Sequence, residues 1–230
     1  MAKRKIKSSR ANESAAAVVT AATVLVLRTC ASDMTAHGGF VWPESGPVEA
    51  PDFDPEPVCG FGLHGLLWGC GNGELLNWNE GAKWLVVEVE ESTVVELDGK
   101  VKFPRGNVVY CGTREEATAF VAARKDGPIV GRTATAGDSG TATAGYAGTA
   151  TAGEYGKATA GYAGTATAGN RGTATAGEYG KAKAGDLGTL ILRRSDGKRY
   201  RLVTVYIGED GIEPNVFYHL VDGKVTRWTE

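Results

Sequence analysis

Gly131-Arg-Thr-Ala-Thr-Ala-Gly-Asp138, Ser139-Gly-Thr-Ala-Thr-Ala-Gly-Tyr146 and Ala147-Gly-Thr-Ala-Thr-Ala-Gly-Glu154 open a tandem octapeptide that continues to Asp186. The pattern is x-Gly-Thr-Ala-Thr-Ala-Gly-x, with Lys sometimes in place of Thr and Arg132 in place of the first Gly. A fixed short period marks a repeating architecture. Thr-Ala-Thr-Ala alternates with period two, so one face of each strand is alanine and the other threonine. The glycines are expected to permit the bends between strands. One octad is too short to bury anything. Two octads back to back make a flat sixteen-residue coil with alanine methyls inside. Coils stacked about 4.8 Å apart give a β-solenoid of roughly 17 Å. A flexible linker of this composition would not need the same residue at every eighth place.

The corner residues bear on the coil length. Sixteen residues per coil stack Tyr146 on Tyr162 along one edge and Asp138, Glu154, Asn170 and Asp186 along the other. The recurrence of Glu154-Tyr-Gly-Lys157 at Glu178-Tyr-Gly-Lys181 instead suggests three octads per coil. Sixteen is preferred, because alanine alone is too thin to fill a triangular coil. Tyr146, Tyr162 and Tyr179 are the candidate oligomer edge. Thr133, Thr135, Thr149, Thr151, Thr165 and Thr167 form a flat candidate binding face. An alanine core buries little apolar area, so the rod is expected to need its neighbours as caps at both open ends. Leu190-Ile-Leu192 is the C-terminal candidate.

On either side of the repeat the sequence changes character. Residues 23–126 read as an α+β head. Thr23–Thr29 and Lys83–Glu90 are strands, and Val94–Phe103 is a hairpin turning at Asp98-Gly99. Asn107–Gly112 is a further strand. Thr113-Arg-Glu-Glu116 is a capping box that starts a helix expected to run from Glu115 to Lys125. The proline-rich stretch from Trp42 to Pro57 is expected to be mostly loop. The repeat occupies 131–188, and 189–230 alternates as a small all-β cap with Asp-Gly turns. Residues 1–22 are read as a basic, disordered tail. Lys3, Arg4, Lys5, Lys7 and Arg10 ahead of the apolar run Ala15–Leu27 mimic a signal peptide. Asn12, Glu13 and Arg28 argue against one, and the run is short for a bilayer span.

The formal net charge of −2 gives no global attraction to nucleic acid. Cys30, Cys59, Cys70 and Cys111 include no C-x-x-C pair and are read as free, mostly buried thiols in a reducing compartment. Cys59, His64 and Cys70 do not match a common zinc spacing, so no metal is expected. The glycines around Gly60–Gly73 lack the Gly-Lys-Ser/Thr of a phosphate loop. No cofactor is expected, and no nucleophile–base pair is readable. His64 beside Trp68, with Trp42, is the candidate ligand cleft of the head. The other tryptophans are expected mainly in the core.

Two resemblances add to this reading. Ala144-Gly-Tyr-Ala-Gly-Thr-Ala-Thr151 resembles the Ala-Gly-Tyr-Gly-Ser-Thr-x-Thr octapeptide of bacterial ice-nucleation proteins. Arrays in that family are far longer, so the resemblance implies shape more than activity. From about Val24 the chain also resembles a group of phage and prophage proteins without an assigned activity. The matching motifs are Gly38–Pro43, Cys59–Gly69, Ala82–Val89 and Ile212–Gly223. That likeness implies a cytosolic or virion-associated protein whose partner is a host factor or another phage protein.

The leading expectation is therefore a non-enzymatic interaction protein of phage type. Its head sits on a rigid solenoid spacer, it self-associates, and it has no membrane or nucleic-acid partner. One alternative is a small-ligand-binding or enzymatic head with His64 and Trp68. Another is binding of ice or a glycan through the Thr-x-Thr ranks.

Overall fold

Val24-Leu-Val-Leu27 and Trp84-Leu-Val-Val87 are apolar at every position, the pattern of central strands covered on both faces. The computed structural model describes residues 22–229 and places both strands at the centre of the head. The expected tail 1–22 lies outside the described residues except for Ala22. The head strands are β1 (Thr23–Cys30), β2 (Gly46–Glu49), β3 (Leu63–Leu67), β4 (Lys83–Glu90), β5 (Val95–Leu97), β6 (Lys100–Phe103) and β7 (Arg105–Gly112). They form an antiparallel sheet in the order β2-β7-β4-β1-β3-β6-β5. Val24 and Val26 pack on one side with Leu85, Val87 and Trp42. Leu25 and Leu27 pack on the other with Trp84, Val86 and the helix α1 (Arg114–Ala122).

The helix starts where its capping residues put it. The Thr113 hydroxyl accepts from Glu116 N at 3.3 Å. The Glu116 carboxylate turns to the Thr113 and Tyr110 hydroxyls, at 2.8 and 2.6 Å, instead of the Thr113 backbone as expected. The regular helix ends at Ala122, short of the expected Lys125, whose N–H still bonds to Val121 O in a final turn. The expectation of mostly buried thiols is corrected. All four cysteines are free, but only Cys30 is buried, Cys70 and Cys111 are half-buried, and Cys59 is exposed.

The repeat is a β-solenoid. Its strands are β8 (Thr133–Ala136), β9 (Thr141–Ala144), β10 (Thr149–Ala152), β11 (Lys157–Ala160), β12 (Thr165–Ala168), β13 (Thr173–Ala176), β14 (Lys181–Ala184) and β15 (Thr189–Ser195). Parallel pairing joins Thr149 to Thr133 and Thr165, and Lys157 to Thr141 and Thr173. Every offset is two octads, which removes the three-octad alternative. The even strands and the odd strands make two sheets whose alanines meet in the middle, nearly all of them buried.

The corners differ from expectation in which residue makes the bend. None of the corner glycines from Gly137 to Gly188 has a positive φ. The left-handed residues are Ser139, Ala147, Tyr155, Ala163, Arg171, Tyr179 and Leu187, with φ between 48 and 58°. The glycines are needed instead for close approach between coils. A Cβ on Gly177 would stand 2.5 Å from Gly161 C, and one on Gly169 would stand 2.7 Å from Glu154 N. A left-handed alanine is strained. Ala163→Gly is accordingly expected to raise stability by about 0.5 kcal/mol, after the larger unfolded-state entropy of glycine is subtracted. Chemical denaturation checks this, and a lower midpoint would refute the strain argument.

The two ends of the rod are finished differently. At the C-terminal end β16 (Tyr200–Tyr206) pairs antiparallel with β15, and β17 (Tyr218–Val221) pairs with β14 and with β18 (Lys224–Arg227). Leu190 and Leu192 continue the alanine columns of β13 and pack with Ile207, Ile212 and Tyr218. The expected N-terminal cap is not formed by pairing: among the described residues no strand joins the outer edges of β8 and β9. The head joins the first coil at a corner, through Gly131 N to Tyr146 O and Gly145 N to Ile129 O. An Arg132–Asp126 ion pair lies beside this junction.

Candidate functional site

The outward face of the even-numbered strands carries the six threonines singled out above. In-register parallel pairing makes two columns, Thr133–Thr149–Thr165 and Thr135–Thr151–Thr167. The spacing is about 6.7 Å along a strand and about 4.8 Å between strands. Backbone hydrogen bonds on both sides of β10 and β12 hold the columns rigid. The fourth rank, Lys181 and Lys183, is covered by the C-terminal segment. Lys181 Nζ lies 4.6 Å from the Trp228 ring centroid, and Lys183 Nζ lies 4.5 Å from that of Phe217. The face is thus three threonine ranks with a cation–π seam at its foot. The odd-numbered strands present a second, less uniform face: Thr141/Thr143, Lys157/Thr159, Thr173/Thr175 and Thr189/Ile191.

The rod edges fall as the sixteen-residue coil requires. Asp138 Oδ1 accepts from Glu154 N at 2.9 Å, and Asn170 Oδ1 accepts from Asp186 N at 3.0 Å, so this edge ties adjacent coils together. On the other edge Tyr146 and Tyr162 stack at 5.3 Å with 7° between their planes, and Tyr179 meets Tyr162 edge-on at 5.1 Å. The ladder continues into the head. Trp78 lies 5.7 Å from Tyr146 and 5.3 Å from Trp84. Of the three tyrosines proposed as an oligomer edge, Tyr146 is therefore engaged by the head, Tyr162 is half-buried, and Tyr179 is 71% exposed. Nothing in the sequence pattern linked Trp78 and Trp84 to the repeat. Only the even 16-residue tyrosine spacing was legible.

The head cleft is assembled differently from the expected His64–Trp68 pair. His64, Arg28 and Trp42 line one cleft of about 680 Å3. Trp68 lies outside it and lines a separate cleft, with Lys125 Nζ 5.1 Å from its ring. Trp68 follows β3 in a left-handed conformation, φ 53°, which carries its ring away from that of His64. Cys59 shares the His64 cleft and Cys70 does not, so the Cys59–His64–Cys70 set is not brought together. His64 Nε2 is buried without a hydrogen-bond partner. Burial, and then the charges of Lys100 and Arg28, hold the His64 pKa below its ordinary value, so the ring is neutral at pH 7. A hydrogen bond from Lys100 Nζ at 3.0 Å lowers the Cys59 thiol below the usual range. Sequence reading missed Arg28 and Lys100 as parts of this cleft.

Comparison with known proteins bears on the repeat. The chain is 42% identical over 113 residues to an ice nucleation protein of Pseudomonas syringae pv. syringae, covering 48% of this chain and 9% of that protein. It is 45% identical over 102 residues to the ice nucleation protein InaU of Pantoea ananas, covering 43% of this chain and 10% of that protein. A similar protein from Xanthomonas campestris pv. translucens is 42% identical over 102 residues, 44% of this chain and 6% of the relative. The chain thus spans a tenth or less of the length of these curated relatives. Its repeats are ice-nucleation-like. No family model matches the chain. No solved structure matches it either.

Proposed function

We propose that the threonine face of the solenoid binds ice by ordering water against its three ranks. The observation that carries this is the in-register column pair Thr133–Thr149–Thr165 and Thr135–Thr151–Thr167. Hydroxyls and methyls alternate there on a lattice set by backbone hydrogen bonds, so little ordering entropy is lost when a solid surface is met. The relatives named as ice nucleation proteins support the same reading. The face is small, so a single chain is expected to bind ice and slow its growth. Efficient nucleation would need more ranks.

The double substitution Thr149→Lys and Thr165→Lys tests this. The fold should survive, because Lys157, Lys181 and Lys183 already occupy outward positions of the same coils. Incorporation into a slowly growing ice hemisphere and thermal hysteresis are the readouts. Wild type is expected to be taken up, and the variant should be excluded about tenfold or more, since two flexible charged chains break the flat array. Equal uptake of both proteins would sink the proposal.

A spacer role is a second reading. Its support is that the head bonds to a corner of the first coil while strands of the C-terminal segment pair with the last coil.

A further inference from the structure

The cleft in the head plays no part in the ice-binding reading of the rod, and its chemistry is distinctive. It opens where β3 parts from β1. The two strands pair at Val26–Leu67 and Leu27–Leu66, and beyond those pairs Arg28 bridges the gap by donating to His64 O at 3.3 Å. Cations gather here. Arg28 lies with Cζ 3.9 Å from the Trp42 ring centroid, and all three of its hydrogen bonds go to carbonyls of Thr29 and His64. A guanidinium has more donors than those bonds use. Lys100 Nζ contacts Cys59 Sγ. Lys102 is only 1% exposed and donates to Val58 O at 2.9 Å and Gly60 O at 3.4 Å. None of the ion pairs among the described residues involves these three cations. Asp52, the acid on the lining, already accepts from Gly62 N at 3.2 Å.

Cations drawn out of water without a carboxylate partner favour any anion that can enter. The rim is of opposite character: Phe61 and Leu75, which also line the cleft, are 60% and 50% exposed. We propose that this cleft binds a small organic anion, with its carboxylate or equivalent group seated on Arg28 and Lys100 and a flat apolar body covered by Phe61 and Leu75. The apolar rim selects against a bare inorganic anion, which would leave Phe61 and Leu75 in water.

Calorimetric titration of the full chain with 1-naphthoate as probe tests the site. Naphthalene-1-methanol and inorganic phosphate are the comparison ligands. Naphthoate is expected to saturate one site, and the neutral alcohol and phosphate should each bind at least about tenfold more weakly. Lys100→Gln should weaken naphthoate about tenfold with an unchanged melting temperature, because Lys100 is only half-buried. Arg28→Gln should weaken it as well. Naphthoate should also slow alkylation of Cys59 by iodoacetamide, followed by peptide mass, because it covers the thiol that Lys100 holds. Absence of saturation would overturn the proposal. So would equal binding of the alcohol or of phosphate, or full affinity in a folded Lys100→Gln protein.

Discussion

Gly161→Ala is expected to lower the stability of the rod by about 3 kcal/mol, the upper part of the range for overpacking. The new Cβ would stand 2.7 Å from Gly145 C, 2.8 Å from Gly145 O and 2.9 Å from Tyr146 N. All three are backbone atoms and cannot rotate aside. Gly161 N also bonds to Ala144 O and Gly145 O at 3.1 Å, so relief requires the two coils to part at the corner where they are bonded. Backbone flexibility is not the issue, since Gly161 lacks a positive φ. In a chain of this size the melting temperature should fall by about 6–12 °C. Thermal unfolding followed by circular dichroism measures it. A shift within about 1 °C would mean that the coils have slack the packing does not show. The contrast with Ala163→Gly, two residues away and expected to shift stability in the opposite direction, separates close approach from conformational preference.

Leu192→Ala should cost about 3 kcal/mol and should act from one end of the rod. Leu192 is 1% exposed, continues the column of Ala176, and packs with Ile207, Ile212 and Tyr218. The alanine coils above it bury little each, so the leucines of the last coil supply a large share of the apolar burial at that end. A stack whose units touch only their neighbours frays from its weakest end. Hydrogen exchange should therefore accelerate first in β14 and β15, while the amides of β4 in the head keep their protection. Equal loss of protection in β4 would show that head and rod unfold as one block, and would contradict this picture.

How legible the fold was depends on the range of the interactions behind each part. The Thr-Ala alternation and the octad period specify a β-solenoid from residues close in sequence, and the corner pairs Tyr146/Tyr162 and Asp138/Glu154 favour sixteen residues per coil over twenty-four. The hairpin around Asp98-Gly99 and the helix start at Thr113 are local in the same way. The threonine-bearing faces follow directly from the period, and the sixteen-residue offset seen in the pairing sets which threonines share a column.

The role of the corner glycines was not readable. A glycine required by φ and one required by the backbone sixteen residues earlier look alike in a sequence, and only the stacked coils showed that Gly161 and Gly177 belong to the second kind. The head cleft was only half legible. Lys100 and Lys102 alternate with Val101 and Phe103, which by itself places both lysines in water. The loop carrying Val58 and Gly60 folds over that face and buries Lys102. His64 and Trp68 are four residues apart, but the left-handed turn at Trp68 separates their rings and leaves His64 with Trp42.

For this protein, then, the sequence alone determined the repeat, its octad period and its alternating threonine and alanine faces, because those depend on residues close in the chain. The parallel pairing chose two octads per coil over three and so fixed the threonine ranks and the two edges. Only the tertiary structure decided what meets those edges. The tyrosine ladder runs on into Trp78 and Trp84, the first coil keeps its strand edges unpaired among the described residues, and uncompensated cations collect beside His64. Each of these depends on non-repeating segments brought together by the packing of the head, and no period in the chain encodes that packing.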